Sequence, residues 1–459
     1  MPDRSERCDV LVIGGGSAGC AVAARLSEDR GRTVCLVEAG PDYGPYAAGG
    51  WPADILDARA LAFSHSWETD REDRSQLRAR ILGGCSAHNA CVALRGAPQD
   101  YDEWGPGWRH SDLAPYLDRA ERTLRVRRFA RDELSPWHAA FAEAAGDDAI
   151  VHPANAVGTV RWNAAFAYLD PARDRPNLSI RAGALADRLV LDGDRAVGAV
   201  AGGREIRADA VVLAAGAYGT PGVLLRSGIG PPAELRRHGI AVAADLPVGR
   251  GLSDHVGTGL AFAPTDRLVA ETARFARTRP VFMAQVTVRG RTASCPEGVA
   301  DVFLFPAVDP GPEISAGVFA MKPVSRGSVA LRSADPAAPL AVDHGFLADP
   351  RDADVVVEGV ERLRALAAAG PIARYAAAET RPGPGVGAAD HVRATARGFF
   401  HPTGTCALGA VVDAGARVRG FANLYVGDAS IMPTIPRANT NLTAVAIGER
   451  VAELVAAGI

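Results

Sequence analysis

The sequence predicts an α/β fold in which a doubly wound, Rossmann-like domain is interleaved with an α+β domain built on a mostly antiparallel sheet. Three observations carry this expectation. A strand–glycine turn–helix–strand unit opens the chain, short β-type runs take over between Ala261 and Gly398, and 459 residues are too many for one compact core.

The opening unit is the most informative. Asp9-Val10-Leu11-Val12-Ile13 reads as a buried parallel strand, Gly14-Gly15-Gly16-Ser17-Ala18-Gly19 follows at once, and Cys20 to Leu26 continues as an Ala-rich helix. A second apolar strand, Thr33 to Val37, ends in Glu38, nineteen residues past Gly19. Glycines at these three positions allow a tight turn, a close approach to a pyrophosphate, and packing of helix on strand. The helix N-terminus offers unpaired N–H groups to the phosphate, and Glu38 can accept ribose hydroxyls, which disfavours a 2′-phosphate. The pattern points to a dinucleotide without separating NAD from FAD.

A second glycine turn follows in Arg80-Ile81-Leu82-Gly83-Gly84-Cys85-Ser86-Ala87-His88-Asn89-Ala90-Cys91-Val92. Two glycines after an apolar pair let a backbone pass close to something flat. By composition alone His88 reads as a satisfied core histidine. Further on, Arg188–Leu191 and Ala196–Val200 flank Asp192-Gly193-Asp194 as a hairpin, and Ala210 to Ala217 is a buried strand closing in a glycine turn. Thr220-Pro221 and Ser227-Gly228 are start and stop signals around a helix at Gly222–Arg226. Val281–Val288, Asp301–Pro306, Gly317–Met321 and Ser328–Leu331 are the β-type runs of the middle, followed by a periodic helix from about Asp352 to Ala369.

Near the C-terminus, Phe399-Phe400-His401-Pro402-Thr403-Gly404-Thr405-Cys406 places a histidine before a Pro/Gly turn, and the two aromatics read as core. Leu424 to Val426 is a strand ending in Gly427-Asp428-Ala429, a second place to hold phosphate or ribitol hydroxyls. Asn439-Thr440-Asn441 precedes a helix from about Leu442 to Ala456, and either asparagine can be its N-cap.

Composition narrows the function classes. A net charge of −3 leaves no basic footprint for nucleic acid. Seven cysteines without paired spacing argue against a disulfide framework and a structural zinc site; no metal is expected. Met1 to Arg7 is polar, no apolar run reaches eighteen residues, and a cytoplasmic location is expected without a transmembrane segment. Lys322 is the only lysine, and it lacks the motif of a Schiff-base or phosphate-loop lysine.

Taken in order, these segments resemble the glucose–methanol–choline (GMC) family of FAD-dependent oxidoreductases. The matching motifs are the first glycine loop with Glu38, Gly83-Gly84-Cys85-Ser86 leading to Asp100-Tyr101-Asp102-Glu103-Trp104, and Gly216-Ala217-Tyr218-Gly219-Thr220-Pro221 with Ser227-Gly228-Ile229-Gly230-Pro231. Ser253-Asp254-His255, His401-Pro402-Thr403-Gly404-Thr405 and Met432-Pro433-Thr434 through Asn439-Thr440-Asn441 complete them. The resemblance implies the GMC fold, with a Rossmann-like FAD-binding domain at 1–125, 168–260 and 399–459 and a substrate-binding domain at 126–167 and 261–398. It implies that His401 is a general base with Asn439 as its partner. It also implies an FAD site of Gly14, Gly16, Ser17, Ala18, Gly19, Glu38 and Ala39, then Arg80, Gly83, Gly84, Cys85, His88, Asn89, Cys91 and Val92. Ala215, Gly216, Gly427, Asp428, Ala429, Thr440 and Asn441 complete that site. The segment around His88 is similar to choline-acting members, which implies that His88 is a covalent FAD anchor, with a non-covalent neighbour as the alternative.

The implied reaction is oxidation of an alcohol to an aldehyde or ketone by base-assisted hydride transfer to flavin N5. The electron acceptor is oxygen or a quinone-like or protein carrier, and the protein a monomer or homodimer. A hydroxynitrile-lyase-like use of the same fold, or a redox-silent FAD-binding protein, is the alternative. Two departures weaken choline as the substrate. Val256 to Ala263 contains no carboxylate, and the aromatic before His401 is Phe400 instead of tyrosine.

Overall fold

The computed structural model describes residues 6–67, 76–308, 313–368 and 370–458. Two seven-stranded sheets organise it. In the first, Glu6–Ile13 lies between Val34–Val37 and Arg204–Leu213, with Leu178–Arg181 beyond Val34–Val37, all parallel. Leu424–Val426 joins parallel to Arg204–Leu213, pairing Val211 with Leu424. Val10 to Ile13 are buried on both faces, as parallel strands covered on both sides must be. The hairpin Ala186–Asp192 and Arg195–Ala201 pairs antiparallel on the other half of Arg204–Leu213, and its sequence expectation is met.

The second sheet is antiparallel, in the order Ala376–Arg381, Val256–Pro264, Ile314–Ala320, Val302–Ala307, Val286–Gly290 and Ala149–Val151, with Arg397–Gly398 added beside Val256–Pro264. The helix Pro350–Ala367 packs across it. Asp349 caps that helix by accepting from the Arg351 N–H at 3.0 Å, and Pro350 occupies the first turn, where its missing N–H costs nothing. Its buried stripe is Asp352, Val356, Gly359, Val360 and Leu363. The expected helix end at Ala369 and the start of the polar N-terminus, Met1 to Ser5, lie outside the described residues.

Several expected boundaries shift for physical reasons. The run at Val281–Val288 is strand only from Val286, where pairing to Ala149–Val151 begins. The helix expected to start at Thr220-Pro221 starts at Gly216 and runs to Arg226 with Pro221 inside it. The proline removes a rung of the helix ladder and leaves the Ala217 carbonyl without its donor. The Thr405 hydroxyl supplies that hydrogen bond at 2.7 Å. Val256–Pro264 crosses the expected division at residue 260 and lies wholly in the second sheet. Trp162 to Leu169 pack into the core of the first sheet, across the expected division at 167.

The C-terminal helix, Thr440–Gly458, packs along the helix Ser17–Leu26. Contact is close because Gly448 faces the Ala18 carbonyl, where a Cβ would stand 2.5 Å from the oxygen. The buried Glu449 fixes the pair by receiving Arg25 at 2.8 Å, Arg119 at 2.7 Å and the Tyr168 hydroxyl at 2.8 Å. Among the described residues, no helix is long and apolar enough to cross a membrane.

Candidate active site

A cavity of about 880 Å³ runs from the glycine turns to His401. Its nucleotide end is made mainly of backbone. Gly14 has φ of +103°, and a Cβ on Gly19 would stand 1.8 Å from the Gly14 carbonyl oxygen, so strand and helix meet only because both positions are glycine. The second turn docks on the first: the Gly83 N–H donates to the Gly15 carbonyl at 2.7 Å, and a Cβ on Gly84 would fall 2.6 Å from the Gly16 Cα. Glu38 accepts from the Gly15 N–H at 2.9 Å and the Gly40 N–H at 2.7 Å, and burial raises its carboxyl pKa to about 6. Beyond any ribose contact, this carboxylate holds the loop itself.

Two helix N-termini converge on the cavity. Ser17 begins one helix and Asn441 lies in the first turn of the other, and the Ser17 hydroxyl donates to Asn441 Oδ1 at 2.7 Å. Both helix ends favour negative charge in the space between them. Asp428 accepts from the Gly216 N–H at 2.9 Å, the Thr220 hydroxyl at 2.5 Å and the Ser430 N–H at 2.8 Å. It therefore ties the strand end at Leu424–Val426 to the start of the helix Gly216–Arg226.

The expected site residues divide into two groups. Gly14, Gly16, Ser17, Ala18, Glu38 and Ala39 line the cavity, together with Gly84, Cys85, His88, Asn89 and Val92. Ala215, Gly216, Asp428, Ala429, Asn439, Thr440, Asn441 and His401 line it as well. Gly19, Arg80, Gly83, Cys91 and Gly427 do not, and each has a structural reason. Gly19 serves helix packing, Gly83 bonds to Gly15, and Gly427 packs beside Val212 and Val451. Arg80 donates to the Ala39 carbonyl and covers the Trp67 ring, and Cys91 is buried with φ of +61° in the core of the second sheet.

His88 is buried, and its Nε2 has no hydrogen-bond partner, unlike the satisfied core histidine that composition suggests. Burial lowers its pKa to about 4, against a hydrogen bond donated to the Ser64 backbone, so the ring is neutral. Lys322, the lone lysine, is held by Asp100, Glu103, Thr434 and the Ile435 carbonyl, a structural setting.

The far end of the cavity is built from side chains. An antiparallel bridge between Ser253 and Thr403 sets Asp254-His255 beside the His401 turn. Asp254 Oδ1 accepts from the His401 N–H at 2.9 Å and the Phe399 N–H at 3.4 Å, bracketing Phe400, which sits at φ of +62°. That left-handed conformation is strained for a bulky residue and persists only where its surroundings hold it. Neither Phe399 nor Phe400 is an enclosed core residue; both are half-buried and line the cavity.

His401 Nδ1 stands 2.9 Å from His255 Nδ1, and His255 Nε2 stands 3.0 Å from the Pro436 carbonyl. A carbonyl only accepts, so His255 carries its proton on Nε2 and its Nδ1 is an acceptor. His401 must then donate from Nδ1, which leaves His401 Nε2 unprotonated. Burial holds both rings neutral, pushing His255 down to about 3 and His401 well below the usual imidazole range, with the Arg78 charge adding to the effect on His401. Asn439 Nδ2 stands 3.2 Å from His401 Nε2 and donates to it, keeping a second N–H for another acceptor. Asn439 thus turns to the histidine, and Asn441 to Ser17.

Pro436 is itself positioned from the Asp100 motif. Asp100 accepts from the Arg437 N–H at 2.8 Å and forms an ion pair with the Arg437 guanidinium, while Trp104 donates to the Thr434 carbonyl at 3.0 Å. Sequence reasoning assigned no role to Asp254 or His255. Their only signal was membership of a motif, because the contact with His401 spans almost 150 residues.

These residues fit FAD: the glycine turns leave room for a pyrophosphate, and a neutral buried imidazole with an unpartnered Nε2 lies along the same cavity. The family models for GMC oxidoreductase match residues 8–257 and 323–448. The chain is 33% identical to a 5-(hydroxymethyl)furfural oxidase of a Methylovorus species, over 97% of this chain and 98% of that protein. It is also 33% identical to the choline oxidase of Arthrobacter globiformis, over 97% and 94%. The solved structure of pyridoxine 4-oxidase from Mesorbium loti superposes with a TM-score of 0.85 at 28% identity, over 97% and 98% of the two chains. The chain belongs to the GMC oxidoreductase family: it is an FAD-dependent oxidoreductase that converts an alcohol to an aldehyde or ketone.

Proposed function

We propose that His401 is the general base of this alcohol oxidation, with Asn439 as its partner, and that His88 anchors the flavin covalently. The observation that carries the first part is the unprotonated His401 Nε2, set by the His255–Pro436 chain and facing the Asn439 amide inside the cavity. Bound FAD supplies the acceptor for the substrate hydride. The chain's own residues do the rest. The Asn439 N–H at His401 Nε2 yields to the substrate hydroxyl, whose proton Nε2 takes, and the amide then holds the substrate oxygen as its charge grows. The first turn of the helix Thr440–Gly458 favours the negative charge that reduced flavin carries. His88 would hold the flavin through its unpartnered Nε2, and its neutrality keeps a nitrogen lone pair available.

The division into an FAD-binding part (1–125, 168–260 and 399–459) and a substrate-binding part (126–167 and 261–398) is kept, with changes near 162 and 256 to respect the two cores. Oxygen or a quinone-like or protein carrier takes the electrons from the reduced enzyme, which works in the cytoplasm as a monomer or homodimer. Seven free cysteines support the reducing compartment. Anaerobic addition of alcohol should bleach the flavin, and His401→Ala should slow that bleaching by about 10²–10⁴-fold at unchanged flavin content. Bleaching untouched by the substitution would remove His401 as base. Readmitting air separates oxidase from dehydrogenase by the rate of reoxidation. Yellow fluorescence on a denaturing gel tests the His88 bond, and loss of all flavin on acid precipitation refutes it.

A further inference from the structure

The walls around His401 are aromatic. The Phe399 ring stacks on Phe319 with centroids 3.8 Å apart and planes at 8°, and meets Phe305 edge-on at 5.2 Å and His401 edge-on at 4.7 Å. Phe305, Phe399 and Phe400 line the cavity with Met283 and Val92. Phe319 is fixed by its own partner strand, since it pairs with Gly257, where a Cβ would stand 2.6 Å from the Phe319 ring and 1.9 Å from the Val318 carbonyl. An acidic side chain at Gly257 is therefore sterically excluded by the wall itself.

The charge around this end also has a sign. Among the described residues lining the cavity the acids are Glu38 and Asp428, and each is already engaged by backbone N–H groups. Arg78 lines the cavity too, its guanidinium 4.9 Å over the Tyr218 ring, and its positive charge reaches His401. A cation seeking ring faces finds one face of each inner ring covered, Phe399 by Phe319 and Phe305 by His152 at 5.4 Å.

We propose that the alcohol oxidised here is a planar aromatic one without positive charge, a benzylic or heteroaryl-methanol whose ring lies against Phe305 and Phe399 with its hydroxyl at His401. This rests on His401 being the base. Rings packed edge-to-face or offset gain over a saturated ring of the same size, and Met283 supplies a polarisable sulfur beside them. A trimethylammonium alcohol meets, among the described residues lining the cavity, only carboxylates already engaged by backbone N–H groups.

The test uses the flavin-loaded enzyme under anaerobic conditions, titrated with benzyl alcohol, cyclohexylmethanol and choline, and reads the apparent Kd from the saturation of flavin bleaching. Benzyl alcohol should bind roughly 3- to 10-fold tighter than cyclohexylmethanol and at least about 10-fold tighter than choline. Phe305→Leu should shrink the benzyl preference over cyclohexylmethanol to within about two-fold at unchanged flavin content. Equal or tighter binding of choline or cyclohexylmethanol by the unaltered enzyme overturns the proposal. So does a benzyl preference that survives Phe305→Leu in full. Bleaching by none of the three alcohols, with flavin bound, overturns the substrate class, while the base assignment is judged separately by whether His401→Ala slows bleaching with an alcohol that does reduce the flavin.

Discussion

The two ends of the cavity are made of different material. At the nucleotide end, Gly14, Gly19 and Gly84 let main chains touch, and the groups offered to a ligand are largely backbone N–H groups and helix ends. At the His401 end, the converging groups are side chains brought from three distant segments: Asp254-His255, Phe399-Phe400-His401 and Pro436 through Asn439. A backbone site is all-or-none, because one added carbon closes it. A side-chain site is graded, because each partner adjusts the next.

The contrast can be tested in order of expected effect. Gly19→Val should be the most damaging change, costing more than about 4 kcal/mol, because its Cβ would overlap the Gly14 carbonyl at 1.8 Å. The readouts are flavin-to-protein absorbance and thermal unfolding, and a folded, flavin-loaded variant would break the comparison. His255→Phe should act differently. It removes the acceptor for the His401 Nδ1 proton, so flavin content should hold while anaerobic bleaching slows about 10- to 100-fold. Loss of flavin along with rate would mean that His255 serves the fold more than the tautomer.

Acid sensitivity should follow the same division. Burial lowers His138 to about 4 and His152 and His255 to about 3, all beside the second sheet or His401. Each stays neutral in the fold but takes a proton near pH 6.5 when unfolded. The stability these rings contribute is full above pH 6.5 and is lost as pH falls toward 4, by up to about 1.4 kcal/mol per pH unit for each. Glu38, raised to about 6, and Asp254, raised to about 7, have the opposite sign: their contribution is full below about pH 4 and fades as pH rises through those values. The unfolding midpoint should fall between pH 6.5 and 4, and a rise there would show that the two carboxylates dominate. The smallest effect is expected from Ser17→Ala, which removes the 2.7 Å link to Asn441 and should lower stability by about 1 kcal/mol with the bleaching rate nearly unchanged.

What could be read from the sequence follows this division. The first glycine turn was legible because its strand, turn, helix and Glu38 are contiguous and each requirement falls on a fixed spacing. Glu38 lines the cavity beside the glycine turn, yet its bonds to Gly15 and Gly40 could not be foreseen, because several acceptor sites on one carboxylate look alike in a sequence. His401 and Asn439 emerged only through the family resemblance. Their meeting depends on the Ser253–Thr403 bridge and on Asp100 holding Arg437, neither of which leaves a local pattern. Cys91 misled for a related reason: it sits within the second glycine segment, but its left-handed backbone sends it into the neighbouring core. Phe399 and Phe400 were read as core because aromatic residues usually are, and the strain at Phe400 is invisible without coordinates.

Pro221 shows how these two ends are kept in step. By breaking one rung of the helix Gly216–Arg226 it leaves the Ala217 carbonyl to the hydroxyl of Thr405, four residues beyond His401. A hydroxyl-free residue at 405 would strand that oxygen in the interior, at about 1–3 kcal/mol. The turn that carries His401 is thus moored to a helix of the nucleotide-binding layer by a gap in that helix.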